Sequence, residues 1–160
     1  MFKRAAVQHV YLLHEVPHQE FRGAHGVYRL RHATHEFHVR THEGRPIFSD
    51  LVKVGETLNF GNRLRQYKNA STEYAALNQF LEDHQYRIEV EFLLTDSPKD
   101  RLKHEAALML AHAIDKGRLP LYNRIGEFTT ICEALDICFP VEVQKSIKRP
   151  WAQRLAPRPR

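Results

Sequence analysis

Apolar and polar positions alternate in three segments of the chain, which are residues 26–32, 35–42 and 86–94. A period of two is typical of a strand that turns one face to the core, so each segment predicts a strand. The turn-like sequence EGRP follows the second segment and predicts a hairpin or an extended excursion there. Residues 51–54 are a short apolar run that we expect to form a further core strand, ending at Gly55. Residues 5–16 are apolar enough for either a strand or a short helix, and the sequence leaves both open.

Three further segments carry the signals that start and stop helices. Their predicted N-caps are Asn59 for the first, Ser71 or Thr72 for the second, and Ser97 for the third. The third helix is the clearest, because Pro98 fits its first position and Gly117 closes it. Its apolar stripe is predicted to be Leu102, Ala106, Met109 and Ala113. Residues 129–140 are compatible with a short terminal helix or a strand.

The predicted strands and helices follow one another in the order β, β, α, α, β, α, which indicates an α+β fold. We expect a small, mainly antiparallel central sheet of about three strands, with an extra hairpin, flanked by helices. A chain of 160 residues is long enough for one domain with its own core. We place that domain at residues 1–144.

The basic charge is concentrated at the carboxyl end of the chain. Residues 145–160 carry six Lys or Arg and no acid, whereas the other 144 residues hold 18 basic and 19 acidic groups. We therefore expect a flexible basic tail that suits a polyanion such as nucleic acid, with a purely solubilising tail as the alternative.

The chain has no run of about 18 apolar residues, so no membrane partner is expected. Two cysteines, Cys132 and Cys138, fit free thiols in a reducing compartment, and we expect a cytoplasmic location.

Two charged residues on the predicted helices are candidates for chemistry. Glu105 lies at the edge of the apolar stripe, where a carboxylate needs a cation or water. It is either a border residue paired with Lys103 or Arg101, or a metal ligand on a concave surface. Arg63 lies on the first turn of a helix that directly follows a strand, and such positions bind phosphate. Taken alone, an arginine there is more often simply solvated.

Five sequence elements, in this order, resemble the motifs of the GIY-YIG nuclease family. They are GVY at residues 26–28, KVG at residues 53–55, Arg63 eight residues past that glycine, Glu105 on a helix after a third strand, and the downstream Asn123. The stretch VKVGETLNFGNRLRQY is the closest part, and it is similar to the family's second strand and first helix. The resemblance covers residues 24–126. It implies a divalent-metal-dependent endonuclease that cleaves DNA, with Mg²⁺ or Mn²⁺ as the cofactor.

The resemblance also implies a role for each matching residue. Tyr28 would position or activate the attacking water, and Arg63 would hold the scissile phosphate and stabilise its developing charge. Glu105 would bind the metal ion, which in the case of Mg²⁺ keeps much of its hydration shell. Asn123 matches the family's late asparagine.

Three features depart from the family pattern. Lys53 stands where the second motif has tyrosine, and an amine can act there as acid, base or water-orienting group only if its pKa falls. Tyr67 stands where the family often has histidine. Residues 31–50 form an insertion between the first two motifs.

The basic residues expected to contact double-stranded DNA are Arg29, Arg31, Arg40, Arg45, Arg65, Lys148 and Arg149.

These departures leave an alternative function, a catalytically attenuated domain of the same fold that binds DNA or acts as an adaptor. A small RNA-binding or stress-related module is a weaker alternative, which only the charge supports. A homodimer is compatible with double-strand cleavage, because cutting both strands with one active site needs a dimer or two binding events. The histidines of the insertion are suited to DNA contact rather than to zinc, because His38 and His42 lie too far apart along an extended strand to share one ion.

Overall fold

The chain folds into two antiparallel sheets with helices packed against them, an α+β fold as predicted. The computed structural model describes residues 8–40, 46–136, 138–147 and 156–159. The strands are β1 (Gln8–Leu12), β2 (Gly26–His32), β3 (His35–Arg40), β4 (Pro46–Ser49), β5 (Leu51–Thr57), β6 (Ile88–Leu94) and β7 (Ala156–Pro159). The helices are α1 (Phe60–Lys68), α2 (Ala75–His84), α3 (Pro98–Lys116), α4 (Ile125–Leu135) and α5 (Val141–Ile147). Two 3₁₀ turns, Leu13–Glu15 and His18–Phe21, lie between β1 and β2.

The central sheet has the strand order β1–β6–β2–β5, and every neighbouring pair in it is antiparallel. A second antiparallel sheet, in the order β4–β3–β7, contains the predicted hairpin, which β3 and β4 form. The turn between β3 and β4 lies in residues 41–45, outside the described residues. Within the predicted basic tail, residues 156–159 pair with β3 as a strand. Helix α5 continues the folded part past residue 144, with Ile147 buried.

Two apolar clusters pack on the central sheet. One cluster joins α1 and α2 to β2 and β6, and Leu64, Phe80 and Phe92 are among its members. The other joins α3 to β5 through Val54 and Met109. Helix α3 also packs against β2. Neighbouring positions of a strand point to opposite faces of the sheet, so α1 and α3 are fixed on either side of the same strands.

The predicted signals at the ends of α1 and α3 are confirmed. The Asn59 side chain accepts a hydrogen bond from the backbone N–H of Asn62 at 3.3 Å. The Ser97 side chain accepts one from Asp100 at 3.1 Å. Gly117 ends α3 with a φ of 70°, the left-handed conformation that glycine adopts without a steric penalty.

The predicted start of α2 is wrong, because this helix begins at Ala75 rather than after Ser71 or Thr72. Thr72 is held in the preceding turn, where its hydroxyl lies 2.6 Å from Oδ1 of Asn78 and its carbonyl accepts a bond from the same side chain at 2.8 Å. Of the two alternatives for residues 129–140, the structure has a helix over residues 129–135, the second part of α4, and residues 138–140 are neither helix nor strand. None of the helices among the described residues is long and apolar enough to cross a membrane.

The inward face of α3 differs from the predicted stripe at its first position. The later positions of the stripe are buried as expected, but Leu102 is 43% exposed. Arg101 and Glu105 are buried near the start of the helix instead. Arg101 turns towards the sheet because its guanidinium pairs with the carboxylate of Glu56 on β5. The start of α3 therefore presents charged groups, rather than leucine, to the edge of the sheet.

Candidate active site

A cavity of about 500 Å³ lies beside the edge strand β5. Polar side chains from five elements line it, and they are Tyr28, Lys53, Glu56, Arg63, Glu105 and Glu127. Its other lining residues are Val54, Gly55, Leu102 and Gly126. Four of the six residues predicted to be catalytic therefore share one cavity, although they come from separate parts of the chain. The remaining two, Tyr67 and Asn123, contact these residues from behind.

Tyr28 reaches the cavity because its neighbour on the adjacent strand is a glycine. Tyr28 of β2 lies directly opposite Gly55 of β5. A Cβ atom at position 55 would lie 2.5 Å from Cζ of Tyr28 and would overlap its hydroxyl oxygen. The prediction that the strand ends at Gly55 is wrong, since β5 continues to Thr57. The glycine instead makes room inside the strand for the tyrosine ring.

Tyr67 supports Tyr28 from the core. Their hydroxyl oxygens are 2.5 Å apart, and their rings meet edge to face with centroids 5.5 Å apart. Tyr67 is 1% exposed and does not line the cavity. Burial raises the pKa of Tyr28 well above its ordinary value and raises the pKa of Tyr67 to about 12. Both phenols are therefore neutral near pH 7.

Lys53 reaches the cavity because it lies two residues before Gly55 on the same face of β5, opposite Leu30 of β2. The pairing of β2 with β5 shifts after Leu30, which leaves Val52 as an extra residue in β5. Val52 stays in the core, while the ammonium of Lys53 lies 3.4 Å from Oε1 of Glu127. Burial lowers the pKa of Lys53, and the negative charge of Glu127 opposes that shift. The fall in pKa is the condition under which a lysine can exchange protons near neutral pH.

Asn123 fixes the edge of the sheet instead of lining the cavity. Its Oδ1 accepts a hydrogen bond from the backbone N–H of Val54 at 2.8 Å, and its Nδ2 donates to the carbonyl of the same residue at 2.7 Å. Nδ2 also donates to Oε2 of Glu127 at 2.7 Å. An amide is the side chain that accepts and donates at once, as this geometry requires. Asn123 therefore closes the free edge of β5 and orients the carboxylate that holds Lys53.

Glu105 brings a buried carboxylate to the cavity. It is 9% exposed, and with the described residues it forms neither a hydrogen bond nor an ion pair. The pairing with Lys103 or Arg101 considered from the sequence is not formed, since Arg101 pairs with Glu56. Burial, and then the charges of Glu56 and Glu127, raise the pKa of Glu105 from 4.5 to about 7. A bound cation would offset both effects, so this carboxylate suits a metal ligand.

Arg63 brings a positive charge to the same cavity. It lies near the start of α1, whose first turn contains no acidic residue. It makes no ion pair with any residue that the structure describes. Its charge opposes the rise in the pKa of Tyr28 and Tyr67. A guanidinium left free in this way can bind two oxygens of a phosphate with parallel hydrogen bonds.

The basic residues predicted to contact DNA differ in their surroundings. Arg29 pairs with Glu91 at 2.8 Å, and Arg31 lies within 3.6 and 3.8 Å of two further carboxylates. Arg65 is exposed on α1 and has no acidic partner among the described residues. The side chain of Arg40 and the whole of Arg45, Lys148 and Arg149 lie outside the described residues. The two strand arginines are thus neutralised by acids near them, whereas Arg65 is not.

The sequence analysis did not single out Glu56 and Glu127, although both line the cavity. Glu56 directly follows Gly55, and Glu127 comes four residues after Asn123. That closeness to motif residues is the signal that could have found them. Within the described residues, no group of three or more His, Cys, Asp or Glu side chains is arranged to hold a metal ion. A metal ion at the cavity would therefore rely on Glu105 and water, an arrangement that suits Mg²⁺.

Comparison with known proteins assigns no family to the chain. It matches no model of a known protein family, and no curated protein or solved structure is significantly similar to it.

Proposed function

We propose that the chain is a divalent-metal-dependent endonuclease of the GIY-YIG type that hydrolyses phosphodiester bonds in double-stranded DNA. One observation carries the proposal. A single cavity holds a guanidinium, Arg63, and a carboxylate, Glu105, and neither has a partner of opposite charge within 4 Å among the described residues. A phosphodiester needs a cation for its oxygens, and its hydrolysis needs a ligand for a metal ion that activates water.

The other cavity residues have complementary roles in this reaction. Arg63 binds the scissile phosphate and stabilises the charge that develops on it. Tyr28 is protonated near pH 7, as an ordinary tyrosine is, and burial raises its pKa further, so it orients the attacking water through its hydroxyl. Lys53, whose pKa is lowered by burial, is the cavity group best suited to take a proton from that water.

Glu105 is the residue that would hold the metal ion. Its buried carboxylate forms no ion pair with the residues that the structure describes, and this is the observation by which the cavity fits a divalent cation. Mg²⁺ or Mn²⁺ bound there supplies Lewis-acid stabilisation of the phosphate and lowers the pKa of bound water. Because a metal ligand must be deprotonated and the pKa of Glu105 is about 7, protons compete with the metal near neutral pH.

A second candidate function is a catalytically attenuated domain that binds DNA. The contact that favours it joins the ammonium of Lys53 to Oε1 of Glu127 at 3.4 Å. A lysine held in an ion pair is a poorer base, because the carboxylate favours its protonated form. In this case Arg63 still binds phosphate, but no cleavage follows.

Cleavage of supercoiled plasmid and of short duplexes, with Mg²⁺ or Mn²⁺, tests the enzyme. Wild type is expected to nick or cut, and Glu105→Gln and Arg63→Gln are expected to lose activity by about 100-fold or more. The exposed Glu82→Gln and Arg87→Gln are matched controls that should retain it. If wild type cuts no substrate with either metal, the proposed endonuclease activity is rejected. DNA binding without cleavage would then support the second candidate.

A further inference from the structure

Three basic residues beside α1 form a cationic cluster that the cavity does not use. They are Arg22, in the loop that follows the second 3₁₀ turn, and Arg65 and Lys68, on α1. Arg22 and Arg65 are exposed, and Lys68 is half-buried. None of the three forms an ion pair with a described residue. In this respect the cluster differs from Arg29 and Arg31, whose charges are neutralised on the sheet.

Tight packing holds the cluster together. A Cβ atom on Gly61 of α1 would lie 2.9 Å from Cα of Arg22, so the helix and the loop touch at a glycine. Oδ1 of Asn59 accepts a hydrogen bond from the backbone N–H of Gly23 at 3.1 Å, which ties the same loop to the start of α1. The cations therefore sit on a rigid base rather than on a loose loop.

His18 lies close to all three cations, and burial together with their positive charges lowers its pKa. Nζ of Lys68 donates to the carbonyl of Val16 at 3.0 Å and lies 3.5 Å from Nδ1 of His18. Burial lowers the pKa of His18, and Lys68, Arg65 and Arg22 lower it further. Helix α1 carries no acidic residue, and Glu20 in the neighbouring 3₁₀ turn makes no ion pair with the cluster. This is a concentrated positive surface without a counter-charge among the described residues.

We propose that the cationic cluster of Arg22, Arg65 and Lys68 binds the phosphate backbone of the DNA that enters the cavity, away from the scissile bond. The proposal rests on the proposed function. The same nine-residue helix carries Arg63 at the cavity and the two helical members of the cluster. Arg65 and Lys68 lie about 200° and 140° round the helix axis from Arg63, so a duplex held by Arg63 would have to cross α1 to bring further phosphates to the cluster. These contacts carry no sequence information, so they add affinity and position the duplex.

The salt dependence of DNA binding tests the cluster separately from cleavage. Binding of a labelled duplex is measured with EDTA present, so that no strand is cut, over a range of KCl concentrations. The double variant Arg22→Gln/Arg65→Gln is expected to flatten the slope of log K against log [KCl] by about 2, since each lost phosphate contact removes about 0.9. The control Arg87→Gln/Lys116→Gln removes the same charge elsewhere and should leave the slope unchanged. Thermal unfolding confirms that each variant is folded.

Each outcome of this experiment either supports DNA binding by the cluster or rules it out. A wild-type slope in the Arg22→Gln/Arg65→Gln variant overturns the proposal, even if wild type cuts DNA. A flattened slope without cleavage by wild type keeps the cluster as a DNA-binding surface and rejects the proposed enzyme. If the variant loses only its binding to poly-glutamate, the cluster belongs to an acidic protein partner and the proposal is overturned. Failure of wild type to bind any duplex overturns it as well.

Discussion

The hydroxyl oxygen of Tyr28 lies 2.5 Å from that of Tyr67. Tyr28, which lines the cavity, is therefore in direct contact with Tyr67 in the core. Burial raises the pKa of both phenols, and the two rings also meet edge to face. Both residues are almost fully buried, but Tyr28 lines the cavity and Tyr67 does not. In the proposed reaction, Tyr28 would meet substrate and Tyr67 would position Tyr28.

Removing the hydroxyl of Tyr67 should affect catalysis less than removing that of Tyr28. We expect Tyr28→Phe to lower kcat by about 100-fold, because the attacking water loses its orienting group. Tyr67→Phe should lower kcat less and cost about 1 kcal/mol in the free energy of unfolding, from the lost hydrogen bond. Plasmid cleavage rates and urea unfolding measure the two effects. Tyr86→Phe, at an exposed position, is the control. Equal losses of kcat in both variants would show that Tyr67 acts directly on substrate.

Gly55 and Gly126 line the same cavity but should tolerate alanine differently. The new Cβ of Gly55→Ala would overlap the Tyr28 ring, so we expect a loss of about 1–3 kcal/mol in the free energy of unfolding and a fall in activity. No atom outside the helix backbone and the adjoining residues lies within 4 Å of a Cβ at position 126, so Gly126→Ala should leave the stability unchanged or slightly raised. Chemical unfolding of both variants makes the comparison. If Gly55→Ala is as stable as Gly126→Ala, the tyrosine ring does not occupy that space.

The stability of the metal-free protein should depend on pH through Glu105. Its pKa is raised from 4.5 to about 7 in the folded state, so its stabilising contribution is fully present below pH 4.5 and is lost as the pH rises through about 7. Glu105→Gln removes the buried charge, and we expect it to stabilise the metal-free protein at pH 8 by about 2 kcal/mol. The measurement is the midpoint of urea unfolding between pH 4 and 8 in EDTA.

Two comparisons check the assignment to Glu105. Mg²⁺ or Mn²⁺ at pH 8 should raise the unfolding temperature of wild type but not that of Glu105→Gln, because the metal binds the deprotonated carboxylate. The exposed Glu82→Gln should keep both the wild-type pH dependence and the response to metal. A Glu105→Gln variant with the pH dependence of wild type would mean that another group titrates.

Glu127 should set the pH at which the cavity becomes active. Its charge raises the pKa of Lys53 and of Glu105, and the proposed reaction needs both groups deprotonated. Glu127→Gln is therefore expected to move the rising limb of kcat/KM against pH to lower pH. The control is Glu133→Gln, which removes an exposed charge from the same helix. A limb that stays in place, or moves to higher pH, contradicts this role of Glu127.

Local patterns along the chain were sufficient to predict the main strands, the caps of α1 and α3, and the fold class. Alternation in residues 26–32 and the signals at Asn59, Ser97 and Gly117 act over a few residues, and the structure retains all of them. The start of α2 was missed because Thr72 bonds to Asn78 instead of capping, a choice between two local hydrogen bonds that the pattern does not distinguish.

Tertiary packing decides the arrangement of the site. The sequence placed Tyr28, Lys53, Arg63 and Glu105 on the right elements, but only the pairing of β2 with β5 sets Tyr28 over Gly55. Only the same pairing, which sets Lys53 opposite Leu30, and the approach of α4 bring Lys53 to Glu127, a residue far away in the sequence. The turn of α3 that buries Glu105 and exposes Leu102 likewise depends on a distant partner, Glu56, for Arg101. Short-range periodicity thus specifies the elements, whereas long-range charge pairing and steric fit specify which side chains meet at the cavity.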